Sequence, residues 1–147
     1  KYDVEFFGGS GSLTDQIIHY NFCRTSFYCN DDGDLSLARV RQPDLSEVVG
    51  EYPIISAEEA KQLLLEGHYL TTVPAEMPGE EFISKVELVY RNDRSSEYFM
   101  PYYRFYVEIE LDEGKTNDLK SYGAYYVPAV SGEYLSDMPT WNGQFNS

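Results

Sequence analysis

Phe99-Met100-Pro101-Tyr102-Tyr103-Arg104-Phe105-Tyr106-Val107-Glu108-Ile109-Glu110-Leu111 is the stretch that decides the fold. Its odd positions, Phe99, Pro101, Tyr103, Phe105, Val107, Ile109 and Leu111, form one aromatic-aliphatic set. Its even positions, Met100, Tyr102, Arg104, Tyr106, Glu108 and Glu110, are mixed and largely polar. Successive side chains of a strand point to opposite faces. A period of two therefore predicts an antiparallel strand with one face on a core and the other toward water. Before it, Val86, Leu88 and Tyr90 alternate with Lys85, Glu87 and Val89. After it, the polar loop Asp112–Lys120 leads to a partner strand over Tyr122–Val130. Pro128 has no amide hydrogen for a ladder, so that partner lies at an edge or ends there.

Ser56-Ala57-Glu58-Glu59 has the spacing of a capping box, in which Ser56 and Glu59 bond each other's backbone amides. It predicts a helix over about 57–66, with Ala60, Leu63 and Leu64 on one stripe and Gly67 as its stop. Such a helix is too short to stand alone, so its leucines must pack on the sheet. Lys61, three residues after Glu58, adds a modest charge pair. Thr71–Glu81, with Pro74 and Pro78-Gly79, reads as a surface loop.

Towards the N-terminus, Tyr2–Phe7 reads as a strand and Gly8–Ser12 as a flexible loop. Residues 17–29 and Leu35–Arg41 read as a hairpin about the turn Asn30-Asp31-Asp32-Gly33-Asp34. The same acidic turn fails as an EF-hand loop, because Arg41 or Gln42 falls at position 12; a weak surface calcium site is the alternative. If 20–29 is one strand, the Cys23 and Cys29 sulfurs sit roughly 20 Å apart, beyond disulfide reach. A bridge would need a chain reversal at Arg24-Thr25-Ser26, so both a disulfide and two buried thiols stay open. The tail, 136–147, is expected to fold Trp141 onto the body.

Composition sets outer bounds. The chain has 147 residues, with 11 Lys and Arg against 25 Asp and Glu, a net charge of −14. That charge repels phosphate backbones and excludes a general nucleic-acid binder. Mean hydropathy is −0.45 and no apolar stretch is long enough for a membrane helix. The first residue is Lys1 and a strand begins at once, which reads as a processed or trimmed form.

Catalytic signatures are weak. His19, read within a strand, and His68, after the helix stop, are the two histidines, without zinc-ligand spacing. Gly9-Ser10-Gly11 lies in a loop rather than at a nucleophile elbow. Glu108 and Glu110 share a strand face about 7 Å apart, the separation of an inverting glycosidase pair. A solvated face with Arg104 alongside explains them better. No cofactor and no metal is implied. Fourteen tyrosines are the most unusual feature. Met100, Tyr102 and Tyr106 are the candidate partner-binding residues, because tyrosine offers flat apolar area with a polar tip. The alternative is that another element covers them.

The capped helix from Ile55-Ser56-Ala57-Glu58-Glu59-Ala60 is followed by Val86-Glu87-Leu88-Val89-Tyr90, then Met100–Val107, then Tyr125-Tyr126-Val127-Pro128-Ala129-Val130-Ser131-Gly132-Glu133-Tyr134. Over about residues 52–135 this resembles extracytoplasmic PepSY-type domains and the related soluble domain of YycI-type regulators of Gram-positive bacteria. The resemblance implies a non-catalytic module outside the membrane, anchored through a membrane or lipid segment, that regulates by touching a protein partner. It carries over no catalytic residue.

The expectation is thus a single α+β domain over 1–147, an antiparallel sheet with the 57–66 helix on one face. Within it, a β-hairpin subdomain covers about 1–50, a helix-plus-three-strand unit about 51–135, and a tail 136–147. The expected function is an extracytoplasmic interaction or regulatory domain, not an enzyme, with a protein or peptide partner. A secreted carbohydrate-binding module using exposed tyrosines is the alternative, and a hydrolase a distant third.

Overall fold

The computed structural model describes residues 3–44, 47–91, 98–110 and 120–144. Leu111 and most of the expected loop Asp112–Lys120 lie outside the described residues. The fold class is α+β. The chain divides into two compact units, Lys1–Glu51 and Tyr52–Ser147, each with its own antiparallel sheet.

In the first unit, β1 (Asp3–Phe7), α1 (Leu13–Phe22), β2 (Arg24–Cys29) and β3 (Leu35–Val40) give a sheet ordered β1-β2-β3. The β2–β3 turn forms as expected. Asn30 N–H donates to the Asp34 carbonyl at 2.9 Å, the Asn30 side chain accepts from Asp34 N–H at 2.8 Å, and Gly33 takes φ +90°.

The strand expected over 17–29 is corrected: Ile17–Phe22 is helical, and His19 sits in the last turn of α1. Ile17-Ile18 are strand formers by propensity, but Ser12-Leu13-Thr14-Asp15 starts a helix. The Ser12 hydroxyl accepts from Asp15 N–H at 3.1 Å, and Asp15 accepts from Ser12 N–H at 2.8 Å. This is a capping box with Asp where Glu is usual. Only after Cys23 does the chain turn extended, where Thr25 pairs with Phe6 and Val40. Cys23 and Cys29 are both free thiols.

The second unit holds α2 (Ala57–Leu65), β4 (Leu70–Thr71), β5 (Ile83–Arg91), β6 (Met100–Ile109) and β7 (Ser121–Pro128), in the order β4-β7-β6-β5. The α2 capping box is formed: Ser56 Oγ accepts from Glu59 N–H at 3.2 Å and Glu59 accepts from Ser56 N–H at 2.8 Å. Gly67 leaves the helix at φ +88°. Lys61 pairs with Glu58 at 2.8 Å and also with Glu80 at 2.7 Å. The short strand β4 was expected to be loop from Thr71 onward; it pairs Leu70 with Tyr126 and Thr71 with Tyr125. Because β4 covers part of β7, that strand is interior and ends at Pro128.

The odd residues of β6 face the core. Phe105, Val107 and Ile109 are buried with Tyr125 and Val127 of β7, Tyr69, and Ala60 and Leu64 of α2. Leu63, Tyr103 and Trp141 pack around this cluster. Each core tyrosine spends its hydroxyl on loop backbone. Tyr103 donates to the Ile55 carbonyl at 2.8 Å, Tyr125 donates to the Ala75 carbonyl at 2.9 Å, and Tyr69 accepts from Met77 N–H at 3.0 Å. Burial pushes the Tyr125 phenol up to about 12. Trp141 stacks on Tyr69 with ring centroids 6.2 Å apart, and its backbone N–H donates to the Gly67 carbonyl at 2.9 Å, so the tail is pinned at Trp141.

Two substitutions test this packing by denaturant unfolding. Leu64→Ala should cost about 2–5 kcal/mol, as the leucine is fully buried. Gly123→Ala should cost about 1–3 kcal/mol, because a Cβ there would stand 2.7 Å from Val73 Cγ2 and 3.0 Å from the Tyr125 ring. A neutral result at Gly123 would mean that the segment crossing β7 is not seated as described.

Candidate functional site

The even residues of β6 lie on the sheet face opposite α2. Register builds that face in rows. Lys85, Tyr106 and Ala124 form one; Glu87, Arg104, Tyr126 and Leu70 the next; Val89, Tyr102 and Pro128 the third; Arg91 and Met100 the fourth. Glu108 lies opposite Tyr122 beyond them. The rows interleave cations with phenol rings.

The Arg91 guanidinium lies 4.8 Å from the Tyr126 ring centroid and 5.9 Å from that of Tyr102. Arg104 stands 5.1 Å from the Tyr106 centroid and its Nη2 donates to Glu87 at 2.7 Å. Lys85 also pairs with Glu87, and its Nζ is 5.7 Å from the Tyr106 centroid. Guanidinium on tyrosine is favourable both as stacking and as cation–π attraction. Arg91 Nη1 and Arg104 Nε are buried without a hydrogen-bond partner among the described residues.

Of the three residues expected to bind a partner, Tyr102 is buried, 7% exposed, under Arg91, while Met100 and Tyr106 are half-buried. Tyr106 donates to Glu87 at 3.3 Å. Tyr103 faces the core. Tyr98 is exposed at the entry to β6. The residues that sequence reasoning missed are Glu87, Arg91 and Tyr126. Alternation already put Lys85, Glu87 and Val89 on one side of β5, but the reach of that side to Arg91 and the register that sets it against Tyr102 and Arg104 need the paired strands.

The catalytic alternatives find other roles. Glu108 is ion-paired to Lys120 at 2.7 Å and Glu110 is exposed beyond the end of β6. Arg104, expected beside Glu108 and Glu110, pairs with Glu87 instead. His68 Nδ1 lies 3.2 Å from the Pro139 carbonyl, a tail-fixing contact. His19 Nδ1 is buried in the first unit, where a Cβ on Gly8 would meet it at 2.6 Å. Among the described residues no three His, Cys, Asp or Glu side chains gather as metal ligands. Among them, too, no helix is long and apolar enough to cross a membrane. No family model matches the chain, and no curated protein or solved structure is significantly similar to it.

Lys85 first, and Arg104 second, hold the Glu87 carboxyl at about 2, below its ordinary 4.5. Lys85 is 61% exposed and screened by solvent, so the Arg104 pair is the durable half. A depressed folded value gives stability that is full above about pH 4.5 and lost as pH falls toward 2. Glu87→Gln should therefore unfold more easily at pH 7, by about 1 kcal/mol after screening, with the gap to wild type closing by pH 2. Urea midpoints measured across that range check it, and a gap that stays constant with pH would contradict the assignment.

Proposed function

We propose that this chain is a non-catalytic interaction domain of an extracytoplasmic regulatory protein, and that the tyrosine–arginine face of the second sheet meets a protein or peptide partner. The observation that carries this reading is the stacking of Arg91 against Tyr126 and Tyr102, with Arg104 against Tyr106 beside it. Tyrosine and arginine are among the side chains that most often dominate protein-interface energy. Their mutual stacking lowers the entropy that a partner must overcome on binding. Met100, half-buried at the end of the face, adds adaptable apolar area.

Charge narrows the partner. Lys85, Arg91, Arg104 and, at its margin, Lys120 stand against Glu87, Glu108 and, at the same margin, Glu110, an excess of one positive charge in a chain whose net charge is −14. A segment bearing carboxylates fits that local excess and is steered toward it. The extracytoplasmic setting, with a membrane or lipid anchor, rests on the resemblance to PepSY-type and YycI-type domains. It is supported by the order of elements over 52–135, a Ser56-capped helix, antiparallel strands and a turn at Gly132–Tyr134.

Arrays of peptides and of glycans, probed with the full chain, separate the readings. Saturable binding to acidic peptides, reduced at least tenfold in Arg91→Ala and in Tyr106→Ala with unchanged far-UV circular dichroism, is the expected result. Saturable glycan binding lost in the same variants would replace the proposal with a carbohydrate-binding module. Binding to neither array, or binding indifferent to both substitutions, would refute it.

A further inference from the structure

The polar face of the first sheet carries a second cationic cluster, independent of the face just described. Register sets Phe7, Arg24 and position 41 in one row and Glu5, Ser26 and Arg39 in the next, with Asp3, Tyr28 and Leu37 beyond. Arg41 N–H donates to the Arg24 carbonyl at 2.9 Å, which holds Arg41 opposite Arg24. Glu5, Arg24, Ser26, Tyr28, Arg39 and Arg41 line one depression of about 80 Å³. That volume suits several waters or one small oxyanion group.

Charge in the depression does not balance. Arg24 Nη1 meets the Glu5 carboxylate at 3.1 Å, and the Ser26 hydroxyl donates to the same carboxylate at 3.3 Å. Arg24 and Glu5 cancel. Among the described residues, neither Arg39 nor Arg41 has a carboxylate within ion-pair distance, although the chain holds 25 acidic residues. The excess is two positive charges. Two of the guanidiniums are also held by aromatic rings: Arg39 lies 5.7 Å from the Tyr28 centroid and Arg24 lies 5.8 Å from that of Tyr20. Arg39 lies on β3 and Arg41 one residue past its end, still bonded to β2, so the two lie roughly 7 Å apart and both forks can reach one group between them.

We propose that this depression is a binding site for a phosphate-type dianion, held by Arg39 and Arg41 with Arg24 and Ser26 as its floor. A carboxylate would leave one of the two charges unmatched, whereas a phosphate monoester carries about 1.5 to 2 negative charges at neutral pH. Planar guanidiniums meet such an anion with paired hydrogen bonds. Glu5 is the internal competitor, occupying Arg24 when the site is empty.

The test is a titration of the full chain with inorganic phosphate at low salt and about pH 8, where its dianion predominates, followed by amide and arginine side-chain NMR. Saturable shifts confined to Glu5, Arg24, Ser26, Tyr28, Arg39 and Arg41 are expected. Arg39→Gln with Arg41→Gln, both exposed positions, should weaken binding at least tenfold. Glu5→Gln should tighten it severalfold by releasing Arg24, a gain that misfolding could not mimic. Vesicles containing phosphatidic acid form the second arm: binding there that also needs Arg39 and Arg41 identifies a lipid headgroup as the source, and binding to inorganic phosphate alone identifies a soluble anion. Linear, non-saturating shifts spread over Lys61, Lys85 and the other cations, or affinity unchanged by all these substitutions, would overturn the site.

Discussion

The pleat of β6 is the constraint on which the second unit depends. Adjacent side chains of a strand cannot share a face, so each residue placed in the core commits its neighbour to the opposite side. Phe105, Val107 and Ile109 enter the core with Ala60 and Leu64 of α2. Tyr102, Arg104 and Tyr106 are thereby sent to the other face. A slip of one residue would bury Arg104 and Glu108 beneath α2, and the desolvation cost would far exceed what any local contact returns. The tyrosine–arginine layer is thus held in register by the hydrophobic side of the same strand.

Core tyrosines extend that order into the loops. A buried phenol must find a partner for its hydroxyl. Tyr103, Tyr125 and Tyr69 find theirs on the backbone of residues 55, 75 and 77. Segments with little regular structure are fixed to the sheet by groups whose apolar rings are already part of the core. The same residue type on the opposite face does different work. There the rings lie against arginines and keep their cations in place.

The distribution of charge follows a related division. Acidic residues crowd the helix starts and the β2–β3 turn, where Asp15 and Glu59 complete capping boxes and Asp34 closes the hairpin. Several of the arginines sit instead at strand positions beside tyrosine rings, in the first sheet and in the second alike. A strongly acidic chain thereby keeps two local cationic faces, each ordered by its own sheet. Net charge describes the whole field around the molecule, whereas recognition depends on these local exceptions to it.

Where the signal is local, the sequence alone was decisive. The α2 helix follows from Ser56 and Glu59 three residues apart, the hairpin from Asn30 to Asp34, and the two faces of β6 from strict alternation. α1 had an equally local signal in Ser12 and Asp15, but the strand propensity of Ile17-Ile18 obscured it. Strand β4, two residues long, carries no period of its own and exists because β7 offers it a partner. The same holds for the pairing of Glu87 with Arg104, for Arg91 against Tyr126, and for the gathering of Arg24, Arg39 and Arg41. Each joins residues from different strands, and only register brings those together: a backbone hydrogen bond between neighbours is written in adjacent residues, while a contact across strands is settled by the energy of the whole sheet.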